Sequence, residues 1–166
     1  MNAGTAGGST PLRLVCFELD KQELALPIAD VGETLPLHPI TPVFLTPPCL
    51  QGVFSLRGDI VPVIDLSVLL SIGKTSIGDD SRIVVIDHGS TTIAIVVDRL
   101  RDLRVIEGGI ASLEPPPSHL APHVAALFAG VSVTETGSVR VLDASAIISS
   151  EPLRALARSG EDLEKP

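Results

Sequence analysis

The 166-residue sequence has no Trp, no Tyr, only four Phe, a single Met and two Cys, and its charged residues amount to 19%, below the roughly 25% usual in soluble domains. Without aromatic platforms, unpaired bases have nothing on which to stack. Basic side chains are scarce too: twelve Lys and Arg stand against twenty Asp and Glu, a formal net charge of −8, and a surface of that sign repels a phosphate backbone. Nucleic acid is therefore excluded as a partner. Long hydrophobic runs are also missing. No stretch supplies the 18 or so uninterrupted apolar residues of a membrane span, and the opening MNAGTAGGSTP has neither the basic nor the apolar region of an export signal. The expectation is a cytoplasmic protein without direct membrane insertion. Cys16 and Cys49 fit no ligand spacing, so we read both as buried free thiols.

What the chain does have is aliphatic: hydrophobic residues make up 45%, and fourteen Gly and fourteen Pro cut them into short runs. Such punctuation is typical of small all-β domains. The apolar runs at 14–19, 24–28, 60–65, 83–87, 93–97 and 139–142 are predicted strands, and joints such as DKQE (20–23) and HGST (88–91) are too short for anything but antiparallel hairpins. The same spacing excludes a doubly wound sheet, since five residues between two strands cannot hold a crossover helix. Asp65, Asp87, Asp98 and Asp143, each closing an apolar run, are accordingly read as turn formers. A short turn is predicted at 47–51 and helices at 118–128 and 144–157, the last interrupted by Pro152.

The chain also matches itself. At an offset of 78, GVFSLRGDIVPVIDLSVLL (52–70) lies on GVSVTETGSVRVLDASAII (130–148), with six identities in nineteen positions: Gly52/Gly130, Val53/Val131, Val61/Val139, Val63/Val141, Asp65/Asp143 and Ser67/Ser145. At an offset of 69, residues 13–28 lie on 82–97 without gaps, matching Arg13, Val15 and Ala25 to Arg82, Val84 and Ala94. A duplication of this size supplies two small five-stranded barrels packed side by side, with the join expected in the polar stretch 71–81.

Chemical motifs are sparse. SIGKTS (71–76) carries the ending of a phosphate loop, but Val68 stands where its first glycine belongs. His119 and His123 share one helical face with no third ligand at a suitable spacing. There is no nucleophile elbow, and Asp79 and Asp80 lie where solvent leaves carboxylates untuned. The reading is of a protein that is no enzyme and holds no cofactor or metal. Arg57, between Gly52 and Gly58 with Asp59 beside it, is either a plain hairpin tip or an interface anchor.

The run QGVFSLRGDIVPVIDL (51–66) resembles the signature of the CheW family of chemotaxis coupling proteins, approximately G-V-x-N-L-R-G-x-h-V-P-V-h-D-L with h apolar. ELALPIADVGETL (23–35) and IAIVVDRLRDL (93–103) are similar to two further family segments in the expected order, and PPP (115–117), AGV (129–131) and VRVLDASAII (139–148) fall where the family places them. The resemblance implies a mainly β fold with short helices, namely two SH3-like five-stranded barrels. It implies a flexible tail over 1–11, one CheW-like domain over 12–150 with barrel subdomains of about 12–75 and 76–150, and a helical or frayed tail over 151–166. The implied role is a non-catalytic adaptor between the cytoplasmic tips of methyl-accepting chemoreceptors and the regulatory domain of a CheA-type histidine kinase. Other CheW-like domains join it in rings recruited to membrane-associated receptor arrays.

By the same resemblance Arg57 and Glu33 form a close pair at the receptor-facing groove, and Val31, Gly52, Ile83 and Leu103 belong to the partner surfaces. Ser55, Thr34, Leu35 and Ala94 depart from the family pattern, which points to a specialised array, one controlling pili or a second messenger. The competing readings are a decoy of the kinase and, in another class, an enzyme or ligand-binding domain on the same scaffold.

Overall fold

The first two strands show how the chain builds itself. Leu12–Leu19 (β1) and Gln22–Pro27 (β2) pair antiparallel, and the residues between them, Asp20 and Lys21, both have positive φ, 52° and 63°. Two left-handed residues make a turn whose twist matches that of the flanking strands. The computed structural model describes residues 10–156 except position 136; positions 1–9 of the predicted tail over 1–11, and positions 157–166 of that over 151–166, lie outside the described residues. Eight further strands follow: Val31–Pro36 (β3), Leu50–Leu56 (β4), Asp59–Ile64 (β5), Arg82–His88 (β6), Thr91–Val97 (β7), Arg99–Ile106 (β8), Phe128–Thr134 (β9) and Gly137–Leu142 (β10). Short helices at Leu66–Leu69 (α1), Pro122–Ala125 (α2) and Ala144–Ile148 (α3) interrupt them. Residues 151–156 form a second helical segment after α3, because Pro152 is tolerated in a first helical turn but not in an interior.

The strands form two five-stranded sheets in the orders β8-β1-β2-β10-β9 and β3-β6-β7-β5-β4. Subdomains at 12–75 and 76–150 are corrected by this topology: the second sheet is contiguous over 31–97, and the first is assembled from both ends of the chain. The reason lies in the links. Between β2 and β3 there is one short turn, Ile28–Asp30, and between β7 and β8 a single residue, Asp98. A one-residue link cannot reverse the chain into a hairpin, so the chain runs straight on into the neighbouring sheet. Asp98 anchors its crossing, donating its N–H to Glu18 O at 2.9 Å and accepting at Oδ2 from Asp20 N at 2.8 Å. Segment 71–81, the expected join, instead stays within the second sheet's circuit from α1 to β6.

The internal repeat is real in three dimensions, but its halves are exchanged. The hairpin of each repeat completes the sheet of the other through a parallel pair: Val63 lies opposite Ala94 in one sheet, and Val141 opposite Ala25 in the other. These are the repeat-related positions. Asp65 and Asp143 each cap the following helix by accepting from the N–H three residues on. Their own N–H groups donate to Cys49 O and Leu127 O, again 78 residues apart.

Alternation along the strands sends one face of each hairpin into its own barrel and the other into a shared interior. On β6, Ile83 and Val85 pack with Phe54, Val61 and Val96, whereas Val84 and Ile86 meet Phe17, Leu19, Leu24 and Leu26 of the other sheet. Leu12, Leu14 and Cys16 fill the first barrel with Val139 and Val141. Both faces being buried, the central strands read as unbroken apolar runs.

A candidate docking surface at Arg57 and Glu33

Arg57 and Gly58 are the two-residue loop between β4 and β5, flanked by the pair Leu56–Asp59. Both have positive φ, 50° and 88°, so an arginine occupies a left-handed position that ordinarily suits Asn or Gly. Its side chain is held in return. The guanidinium makes a two-pronged bond with Glu33 of β3, Nη1 to Oε2 at 2.7 Å and Nη2 to Oε1 at 2.6 Å. The donated bonds hold the Glu33 carboxyl below its usual range and push the Arg57 guanidinium further above its own. β3 and β4 are the two edges of the second sheet, and the fork spans the gap between them.

The pair faces water, with side-chain exposures of 68% for Arg57 and 29% for Glu33. Beneath it lies a recess of about 350 Å³ bordered by Ile60, Val85, Asp87 and Thr92. Ile60 is 66% exposed, a bare aliphatic beside a charged fork. Asp87 accepts from Thr92 Oγ1 at 2.6 Å, and His88 pairs with Asp30 at 2.9 Å. Acid therefore outnumbers base around the recess.

Of the six residues assigned to partner surfaces, Arg57 and Glu33 are brought together as expected. Val31 begins β3 two residues before Glu33 and is half-buried against the shared core. Leu103 stands on β8, an edge of the other sheet, and is 67% exposed, with Val105 nearby at 50%. The other two need correction. Ile83 has no exposed surface and packs inside the second barrel. Gly52 is buried where residue 41 crosses β4: Thr41 and Val53 exchange backbone hydrogen bonds at 2.8 and 2.9 Å, and a Cβ at Gly52 would stand 2.5 Å from the Thr41 carbonyl oxygen. Both residues shape the scaffold and cannot touch a partner with a side chain. Ile60 was not foreseen, because β5 meets β7 only at Val63 and Ile64, and the sequence does not say which apolar residue of the strand is left uncovered.

The SIGKTS segment is a structural tie. Thr75 donates its N–H and hydroxyl to the carboxylate of Asp65, the hydroxyl at 2.8 Å, and Ser67 Oγ meets Thr75 Oγ1 at 2.9 Å. Among the described residues no group of three or more His, Cys, Asp or Glu is placed to hold a metal, and no helix is long and apolar enough to cross a membrane.

Two interleaved barrels, the second bridged across its edges by an exposed ion pair and both carrying bare aliphatics, define a scaffold for docking other proteins. Residues 13–152 match the CheW-like domain, and the chain belongs to that family: it is a CheW-like adaptor of chemotaxis signalling. It is 32% identical to protein FrzA of Myxococcus xanthus over 146 residues, 86% of this chain and 89% of FrzA. It is 26% identical to the chemotaxis protein CheW of Klebsiella aerogenes over 148 residues, 89% of this chain and 88% of that protein. The crystal structure of the scaffolding protein TtCheW from Thermoanaerobacter tengcongensis superposes with a TM-score of 0.71 at 30% identity, covering 81% of this chain and 86% of that one. Proteins of the CheW family are non-catalytic scaffolds that couple chemoreceptors to the kinase CheA.

Proposed function

We propose that this chain is a cytoplasmic, non-catalytic coupler that binds a chemoreceptor cytoplasmic tip and the regulatory domain of a CheA-type histidine kinase, and is recruited through them to membrane-associated arrays. The observation that carries this reading is the Arg57–Glu33 fork. A fork built from two sheet edges, one of its members in a left-handed turn, and flanked by exposed Ile60, presents a charged and an apolar group in fixed geometry. Such pre-organised pairs orient a partner more than they stabilise a fold. Leu103 and Val105 on β8 supply a second apolar patch on the other barrel, and two separate patches suit a protein that must hold two neighbours at once.

The departures from the family pattern divide in the same way. Ala94 is fully buried and Leu35 packs on the second barrel's core, whereas Ser55 and Thr34 are exposed on the strands that carry the fork. The departures that face solvent lie on the fork's strands and leave the barrel interior unchanged, and on this ground we read the partners as those of a specialised array. The test is direct binding: folded protein titrated with a CheA regulatory domain and with a receptor cytoplasmic tip. Saturable association with both is expected; a folded protein that binds neither sinks the proposal.

A further inference from the structure

Away from the fork, the loop between β3 and β4 carries the most exposed large apolar residues described: Phe44 at 90% and Leu45 at 105%, with Leu45 at φ 62°. This tip is built rather than loose. Thr46 Oγ1 donates to Val43 O at 2.8 Å across its base, and Pro42, Pro47 and Pro48 stiffen the chain on either side. A leucine held in the left-handed region with its side chain in water is a costly arrangement, and apolar side chains gathered in water mark a contact surface.

The residues flanking the tip, Val43 and Thr46, are also walls of a groove of about 530 Å³ whose remaining surface includes Leu50, Pro62, Ile148 and Leu156. That volume lies in the range of roughly 300–1,000 Å³ found for sites that enclose a drug-sized ligand, ample for a Phe–Leu pair. Charge decides what can sit there. From 34 to 56 the sequence contains no Asp, Glu, Lys or Arg, and the one charged residue lining the groove, Arg154, is paired with Glu151 at 2.9 Å. In a chain of net charge −8, most faces repel another copy; this uncharged face does not.

We propose that two copies of this chain associate about a two-fold axis at this face, the Phe44–Leu45 tip of each entering the groove of the other. Tip and groove adjoin, so one rotation engages both at once, as an isologous contact requires. The rigid tip loses little entropy on insertion. A contact confined to one two-residue tip and one groove per copy is expected to be weak, with a dissociation constant on the order of 10 μM.

Sedimentation velocity of the full chain over a hundredfold concentration range, reaching roughly 0.5 mM to cover weak association, should show a monomer passing into a dimer. Phe44→Ser and Thr91→Glu, the latter at an exposed residue on the groove wall, should each weaken the dimer at least tenfold. Because Phe44 is 90% exposed, Phe44→Ser should leave the melting temperature unchanged. Leu45→Cys combined with Thr91→Cys should form cross-linked dimers under mild oxidation, while neither single variant mixed with wild type does. A chain that stays monomeric throughout, or a dimer indifferent to both Phe44→Ser and Thr91→Glu, overturns the proposal. So does capture of the tip by a receptor or kinase domain without self-association. Because these readouts need no kinase or receptor, their failure leaves the coupling function standing.

Discussion

Arg57 spends its side chain on Glu33 while its backbone sits in a left-handed turn, and those two facts predict how it responds to change. Arg57→Glu replaces the fork with two facing carboxylates at a site open to water. The melting temperature should move little, whereas binding to a receptor tip should fall at least tenfold; a large loss of stability with binding intact would make the residue structural. The pair's pH dependence follows from its direction. The folded carboxyl titrates below its ordinary value of 4.5, so its contribution is present above that value and is lost as pH falls through the lower folded one. Asp65 and Asp143 make a contrasting pair of capping residues. The Asp143 carboxylate accepts from Ala146 N, whereas that of Asp65, only 2% exposed, caps Val68 N and also holds both Thr75 N and Thr75 Oγ1. Asp143→Ala should cost about 1 kcal/mol, and Asp65→Ala about 3 kcal/mol or more because it strands buried donors, as denaturant titration will show. Cys16, whose thiol burial pushes up to about 11, should stay unreactive toward thiol reagents until the protein unfolds.

At the scale of elements, glycine marks where a loop crosses an edge strand. Glu114 bridges Val131 on β9 as Thr41 bridges Val53 on β4, and a Cβ at Gly130 would stand 2.7 Å from the Glu114 carbonyl oxygen. Both crossings cover outer strands that would otherwise expose unpaired backbone. Gly52→Ala and Gly130→Ala should therefore each destabilise by about 1–3 kcal/mol, measured by thermal or chemical unfolding; a neutral effect at both would mean the crossing loops simply move aside. This device was half legible. The repeat aligned the two glycines, but the loops they admit, starting from Thr41 and Glu114, share no sequence signal. Central strands β1, β2, β6 and β7 were readable as apolar runs because both their faces are buried. Edge strands β3 (VGETLP) and β8 (RLRDLRVI) were not, since one-sided burial on a charged background leaves only a weak alternation. Arg57 and Glu33 were found from motif resemblance, whereas Ile60 and the Phe44–Leu45 tip became visible only once exposure was known.

At the scale of the molecule, the largest apolar cluster among the described residues is the one between the barrels: twenty-one buried residues, against seven in the second barrel and six in the first. Either barrel alone would leave its share of that cluster open to water. Unfolding is expected to be a single cooperative transition, with coincident curves from far-ultraviolet dichroism and from amide exchange in each sheet. Two separable transitions would contradict the shared core. Residues 31–97 hold a complete sheet, yet expressed alone they should not fold stably, because Phe17, Leu19, Leu24 and Leu26 of the missing strands cover their outer face.

Composition and periodicity by themselves determined the mainly β class, the aliphatic interior, the exclusion of nucleic acid and the twofold repetition, because these follow from which side chains are present and from nearest-neighbour spacing along the strands. Only the tertiary structure decided that the repeats exchange hairpins. The one-residue link at Asp98 leaves the chain no room to turn back, and the single helical turn at Ile28–Asp30 carries it on from β2 into β3, so it crosses between sheets and ties two barrels into one body. The same crossings decided what remains outside. Surface is whatever packing leaves uncovered, and pairings between residues as far apart as Ala25 and Val141 are not written in either segment alone.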